Sequence, residues 1–144
     1  MSSDPAPSGQ WSVEPTEAQL AVVGEFEADR PVVMLNLLRF RDIADYSDHP
    51  DLAPVAPISG AEAYQRYGEA ALAHLGDVGA SVEYFASCGP TVIGPEGERW
   101  DMILLVRYPN PAAFLTMVTK PEYQALAGHR AAALVDSRLV PSFG

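Results

Sequence analysis

Trp100-Asp101-Met102-Ile103-Leu104-Leu105-Val106-Arg107-Tyr108-Pro109-Asn110-Pro111, with the segment that follows it to Phe143, decides the fold. Residues 100–108 read as a strand that is apolar on both faces. Ile103 and Leu105 point one way, and Trp100, Met102, Leu104, Val106 and Tyr108 the other. Asn110-Pro111 then opens a helix, with a side-chain cap and a proline at the first helical position, where no N–H is needed. Pro121 divides that helix, and Asp136-Ser137-Arg138-Leu139-Val140 closes the chain as a strand.

Upstream, Ser81–Cys88 reads as a strand, disturbed at Gly89-Pro90 and continued through Thr91-Val92-Ile93. Gly94-Pro95-Glu96-Gly97-Glu98 is a turn into the Trp100 strand, so the two are antiparallel. Ser59-Gly60-Ala61-Glu62 has the pattern of a capping box. It opens a helix to about Leu75, with Tyr64, Tyr67, Ala71 and Leu75 inward and Gly76 and Gly79 as stops. Val32–Phe40 is the first strand, and residues 41–58 between it and that helix are a long polar loop carrying Pro50, Pro54 and Pro57. Thr16-Glu17-Ala18-Gln19 caps a further helix that ends at Arg30-Pro31, with Leu20, Val23 and Phe26 on its narrow apolar side. Residues 1–14 read as a flexible tail, and 15–144 as a single domain.

Without the N-terminal helix the order is β-α-β-β-α-β, an α+β, ferredoxin-like pattern with both crossover helices on one face of a four-stranded antiparallel sheet. Val33, Leu35 and Leu37 on the first strand, with Ile103 and Leu105 on the third, form a second apolar face that those helices leave open. Leaving about five such side chains in water forgoes roughly 1.5–3 kcal/mol apiece. That sum rivals the roughly 5–15 kcal/mol stability of a whole domain. The expected cover is a second copy, giving a homodimer whose sheets face each other as a barrel; the competing cover is the N-terminal helix folded across a monomer.

Composition bounds the function. The 144 residues carry 9 Lys+Arg against 19 Asp+Glu, a net charge of −10 that repels a phosphate backbone and speaks against nucleic-acid binding. A hydrophobic share of 48% is that of a globular chain. One cysteine, Cys88, leaves no internal disulfide framework and fits a reducing compartment. No apolar run has the length of a membrane span, and the first residues lack a secretory signal, so the expected location is cytoplasmic with no membrane partner.

Val33-Met34-Leu35-Asn36-Leu37-Leu38-Arg39-Phe40, the Trp100–Pro109 strand, Pro121-Glu122-Tyr123-Gln124 with Arg130, and Asp136-Ser137-Arg138-Leu139 together resemble domain-of-unknown-function family 1330. The resemblance runs from about Pro31 to Val140. It implies the dimeric α/β-barrel fold and no established reaction. Relatives in that superfamily include cofactor-independent monooxygenases, lactone isomerases, polyketide cyclases and haem-degrading enzymes, an analogy of fold alone.

Arg130 is the sharpest candidate for chemistry, because it stands within the inner stripe Tyr123, Leu126, Ala127, Ala131 and Leu134. It either binds a substrate carboxylate or enolate, or pairs with Glu83, Asp101 or Asp136 as a structural bridge. Asn36 interrupts an apolar strand and must be satisfied, by a substrate oxygen or by neighbouring protein. Tyr64, Tyr67, Trp100 and Tyr123 are candidate pocket residues for a hydrophobic ligand, against the plainer reading of aromatic core. His129, expected to face outward, is the best-placed general base if the pocket opens its way. His74 sits where it complements a helix dipole.

The loop around His49 lacks the spacing of a known metal site, and no metal or other cofactor is expected. No phosphate loop, dinucleotide fingerprint or nucleophile elbow occurs. Two readings stand. One is a cofactor-independent enzyme of isomerase, cyclase or monooxygenase type on a hydrophobic oxygenated small molecule. The other is a non-catalytic module that binds a small molecule or only dimerises.

Overall fold

In the computed structural model, which describes residues 11–144, one sheet organises the chain. The elements are α1 (Glu17–Val23), β1 (Val32–Phe40), α2 (Gly60–Asp77), β2 (Ser81–Ser87), β3 (Met102–Tyr108), α3 (Pro111–Thr119), α4 (Pro121–Ala133) and β4 (Leu134–Ser142). The four strands lie in the order β2-β3-β1-β4, every neighbouring pair antiparallel. With α2 and α3/α4 as crossovers this is the ferredoxin-like arrangement.

Local chemistry explains the boundaries. Thr16 and Gln19 exchange side-chain and backbone hydrogen bonds at the start of α1, and Ser59 accepts from the Glu62 amide at the start of α2. Asn110 accepts from the Ala113 amide, with Pro111 behind it, to start α3. Lys120 is extended because Pro121 follows it, and so it serves as the end of α3 and the start of α4. Gly79, at φ 74°, turns the chain after α2.

Alternation along β1 divides the sheet. Val32, Met34 and Leu38 are buried against Tyr64 and Tyr67 of α2, Phe114 and Met117 of α3 and Tyr123 of α4. Val33, Leu35 and Leu37 project from the opposite face and are only partly covered. Register places Leu35 beside Leu105 and Leu37 beside Ile103, with Val140 and Tyr84, both half exposed, flanking them. No helix among the described residues roofs this face. The competing cover fails, because α1 packs against α3 and buries Val23 in the helix-side core.

Several boundaries differ from the sequence reading. Helix α1 stops at Gly24, so the stretch to Arg30 is not helical. Strand β2 ends at Ser87; Thr91-Val92-Ile93 lies in an exposed connection and does not continue it. Pro90 supplies no N–H for a ladder, and the last tie to β3 is the Cys88 amide on the Asp101 carbonyl. Helix α2 runs through Gly76 to Asp77.

Residues 1–10 of the expected tail lie outside the described residues, but residues 11–13 are tied down. Ser12 donates to Asp136 Oδ1 at 2.8 Å and accepts from the Ser137 amide at 2.6 Å and the Ser137 hydroxyl at 3.0 Å. These bonds cap the outer edge of β4, which would otherwise present unpaired groups. The Arg39 guanidinium lies 4.7 Å from the Trp11 ring centroid.

The close approach at the start of α2 depends on Gly60. Its amide donates to the Arg41 carbonyl at 3.0 Å, while the Arg41 amide donates to the Ala133 carbonyl at 2.8 Å. A Cβ at Gly60 would stand 2.2 Å from the Arg41 oxygen and 2.6 Å from the Ala133 oxygen, both backbone atoms. Gly60→Ala is therefore expected to lower stability by about 1–3 kcal/mol. Gly68→Ala, mid-helix with nothing within 4 Å, should raise it by about 0.5–1 kcal/mol. Denaturant midpoints of the two variants check both signs.

Candidate functional site

Spacing of three along α2 puts Tyr64 and Tyr67 on one face, with ring centroids 5.3 Å apart. Helix α4 brings Tyr123 to them, and the Tyr67 and Tyr123 hydroxyls meet at 2.5 Å. Tyr108 of β3 and Phe40 at the end of β1 complete the aromatic wall, Phe40 lying 5.6 Å from Tyr64. Burial raises the pKa of Tyr64 to about 12 and pushes those of Tyr67 and Tyr108 well above the ordinary phenol value; the positive charge of Arg130 opposes the rise in all three. These phenols stay protonated at neutral pH, so each has a proton to donate and none is a base. Among the described residues the Tyr64 and Tyr108 hydroxyls have no hydrogen-bond partner.

Arg130 forms no bridge to Glu83, Asp101 or Asp136. Its Nη1 donates to the Val13 carbonyl at 2.7 Å, and no carboxylate lies within 4 Å of it among the described residues. Each proposed partner is engaged elsewhere. Asp136 Oδ1 accepts from Arg138 at 2.6 Å and from the Ser12 amide, Asp101 Oδ2 accepts from the Phe40 amide at 2.8 Å, and Glu83 accepts from the Ser81 hydroxyl.

The remaining candidates are dispersed. The Asn36 amide donates to the Met34 carbonyl at 3.3 Å and the Leu104 carbonyl at 3.2 Å, so its demand is met inside the sheet. Trp100 lies 5.2 Å from the Arg138 guanidinium, and Arg138 shares the open sheet face with Leu37, away from the tyrosines. His74 contributes a ring edge-on to Tyr123, at 6.1 Å between centroids.

His129 does not face outward. Its Nδ1 lies 2.7 Å from the Tyr46 hydroxyl, under the 41–58 loop. That loop is ordered by the Ala44 amide on the Ile58 carbonyl, the Asp45 amide on the Ala132 carbonyl and a short 3-10 turn at Pro50–Leu52. It can seat on α4 because residue 128 is glycine, where a Cβ would meet Leu52 and His49 at under 3 Å.

One group of residues was not legible beforehand. Phe40, Arg41, Asp42, Ser59, Ala61, Arg99 and Asp101 line an open pocket of about 270 Å³ where β1 ends and α2 begins. They come from three separate stretches, and only the run into Arg41 and the Ser59 cap hinted at it. The Arg41 Nε is buried and has no partner among the described residues. An unmet buried donor costs about 1–3 kcal/mol.

Burial, then the nearby Arg66 and His49, lower the pKa of His129. The folded chain thus binds this proton less readily than the unfolded chain, whose imidazole titrates near about 6.5. His129 stabilises the fold above that value, and the contribution is lost as pH falls from there toward the lower folded pKa. Tyr46 stays neutral across this range, since burial raises its pKa. Denaturant midpoints should therefore fall more between about pH 7 and pH 5 in wild type than in His129→Gln. Hydrogen exchange at the Ala44 and Asp45 amides should accelerate over the same interval.

No protein-family profile and no curated protein matches the chain. Among solved structures it is similar to RPA0582, a protein of unknown function from Rhodopseudomonas palustris. That likeness has 32% identity and a TM-score of 0.83, covering 94% of this chain and 98% of that one. The methylated form of RPA0582 matches at 32% identity and a TM-score of 0.84, covering 94% and 96%. A ferredoxin-like protein of unknown function from Bacteroides fragilis, described as dimeric, matches at 16% identity and a TM-score of 0.49 over 82% of this chain and 100% of that one. That last likeness is too distant to bear on this chain. The extent and identity of the first do bear on it: the chain belongs to the family of the Rhodopseudomonas palustris protein RPA0582.

Proposed function

We propose that the protein is a sheet-to-sheet homodimer in which each copy binds a hydrophobic, oxygenated small molecule beside Arg130, without a tightly bound cofactor. The observation that carries the ligand reading is Arg130 itself. A half-buried guanidinium acts on three buried phenols, and no carboxylate within 4 Å neutralises it among the described residues. A cation flanked by donor hydroxyls suits an enolate or carboxylate, and would steady negative charge that develops during proton transfer or oxygenation. Tyr64 and Tyr108 are the donors in this reading, with Tyr67 and Tyr123 as walls. Asn36 and His129 already hold hydrogen bonds to protein groups, and this reading assigns the charge-steadying role to Arg130 and the two phenols instead. Kinship with family 1330 belongs to the same proposal, and rests on the motifs in strands β1, β3 and β4 and helix α4.

The mutual hydrogen bond of Tyr67 and Tyr123 and the satisfied amide of Asn36 favour a second reading, a filled and non-catalytic interior. A thermal-shift screen of apolar carboxylic acids and phenols separates the two. Acids should raise the Tm of wild type by more than that of Arg130→Gln. If no compound shifts wild type, the ligand reading is sunk and dimerisation remains as the role.

The homodimer rests on the uncovered patch Val33, Leu35, Leu37, Ile103 and Leu105, with Tyr84 and Val140 beside it. Sedimentation at micromolar protein should give two copies for wild type and one for Leu35→Glu/Leu105→Glu. A wild-type chain that sediments as a single copy removes the dimer from the proposal.

A further inference from the structure

We infer that the pocket between the end of β1 and the start of α2 is a second ligand site, built to take the carboxylate of a small organic acid. A chain with only 9 Lys+Arg places two of them, Arg41 and Arg99, in one pocket. Asp42 and Asp101 line the same pocket, yet neither arginine has a carboxylate within 4 Å among the described residues. Asp101 is held by the Phe40 amide, which fixes its carboxylate toward the backbone. The guanidinium groups are thus not locked into protein ion pairs, and a planar fork matches a carboxylate with two parallel hydrogen bonds.

Other features narrow the ligand. Ser59 Oγ accepts from the Glu62 amide, leaving its own proton to donate. Phe40 and Ala61 are the apolar residues of the lining, set beside the body of the acid. A volume of about 270 Å³ is a little below the range for drug-sized ligands and suits a small molecule. Two carboxylates in the wall repel a doubly charged phosphate more strongly than a singly charged carboxylate, so an organic acid is preferred over phosphate. The frame is rigid, since the Arg41 backbone is bonded on one side to Ala133 and on the other to Gly60. The site does not depend on the Arg130 proposal.

Calorimetric titration of the full chain with sodium benzoate, and separately with inorganic phosphate at matched ionic strength, tests this. Benzoate should bind saturably and more tightly than phosphate. Arg99→Gln, an exposed position that leaves the fold intact, should weaken benzoate by about tenfold, and Arg41→Gln should do the same. The titrations are made in the Arg130→Gln background, so that acid bound at that side chain does not contribute; there Arg30→Gln, a surface change of equal charge, should leave the affinity unchanged. The inference is overturned if phosphate binds more tightly than benzoate, or if benzoate does not saturate. Undiminished affinity when Arg99→Gln is added also overturns it.

Discussion

A strand that is apolar on both sides cannot be satisfied by helices on one. Because β1 alternates between Val32, Met34 and Leu38 on one face and Val33, Leu35 and Leu37 on the other, both faces of the sheet need cover. The crossover helices take one face, since each links two parallel strands across an intervening one, and crossovers of the same hand lie on the same side. Helix α1 could have roofed the other, but it joins α3 instead, where Val23 finds a deeper contact. That face is left without a helical cover among the described residues.

The same economy of space shapes the ends of the sheet. Where β1 meets α2 the backbones of Arg41, Gly60 and Ala133 approach so closely that only glycine fits, and this junction anchors the first turn of α2. On the far side of α4, Gly128 admits His49 and Leu52 and so lets the 41–58 loop settle onto the helix. Both close approaches hold chemistry-bearing side chains at fixed places: Arg41 beside a pocket, His129 against Tyr46.

Three polar side chains in the interior are answered in the same way. Asn36, Asp101 and Asp136 are each answered by backbone amides or carbonyls of neighbouring strands or of the N-terminal segment. Their burial costs little because strand backbones lie within reach. Arg130 and Arg41 differ, for neither has a carboxylate within 4 Å among the described residues, although Arg41 lowers the Asp45 pKa from further away. Cations left in that condition inside an acidic chain are where anionic chemistry has something to act on.

Periodicity and capping were sufficient for the β-α-β-β-α-β order, the full extent of β1, the caps at Thr16, Ser59 and Asn110, and the break at Pro121, because each depends on residues within a few positions of one another. The two apolar faces of the sheet were also legible, as alternation is a local property of a strand. Tertiary structure alone decided the rest. Where Thr91-Val92-Ile93 lies, whether Arg130 meets a carboxylate, which residues answer Asn36, and that His129 turns to Tyr46 all follow from how distant segments pack. So does the pocket of Arg41 and Arg99, whose walls lie far apart in the chain and meet only where a strand end, a helix start and a hairpin base converge. Spacing along one chain constrains what a single element presents; contact between elements depends on the geometry of the whole sheet and its helices.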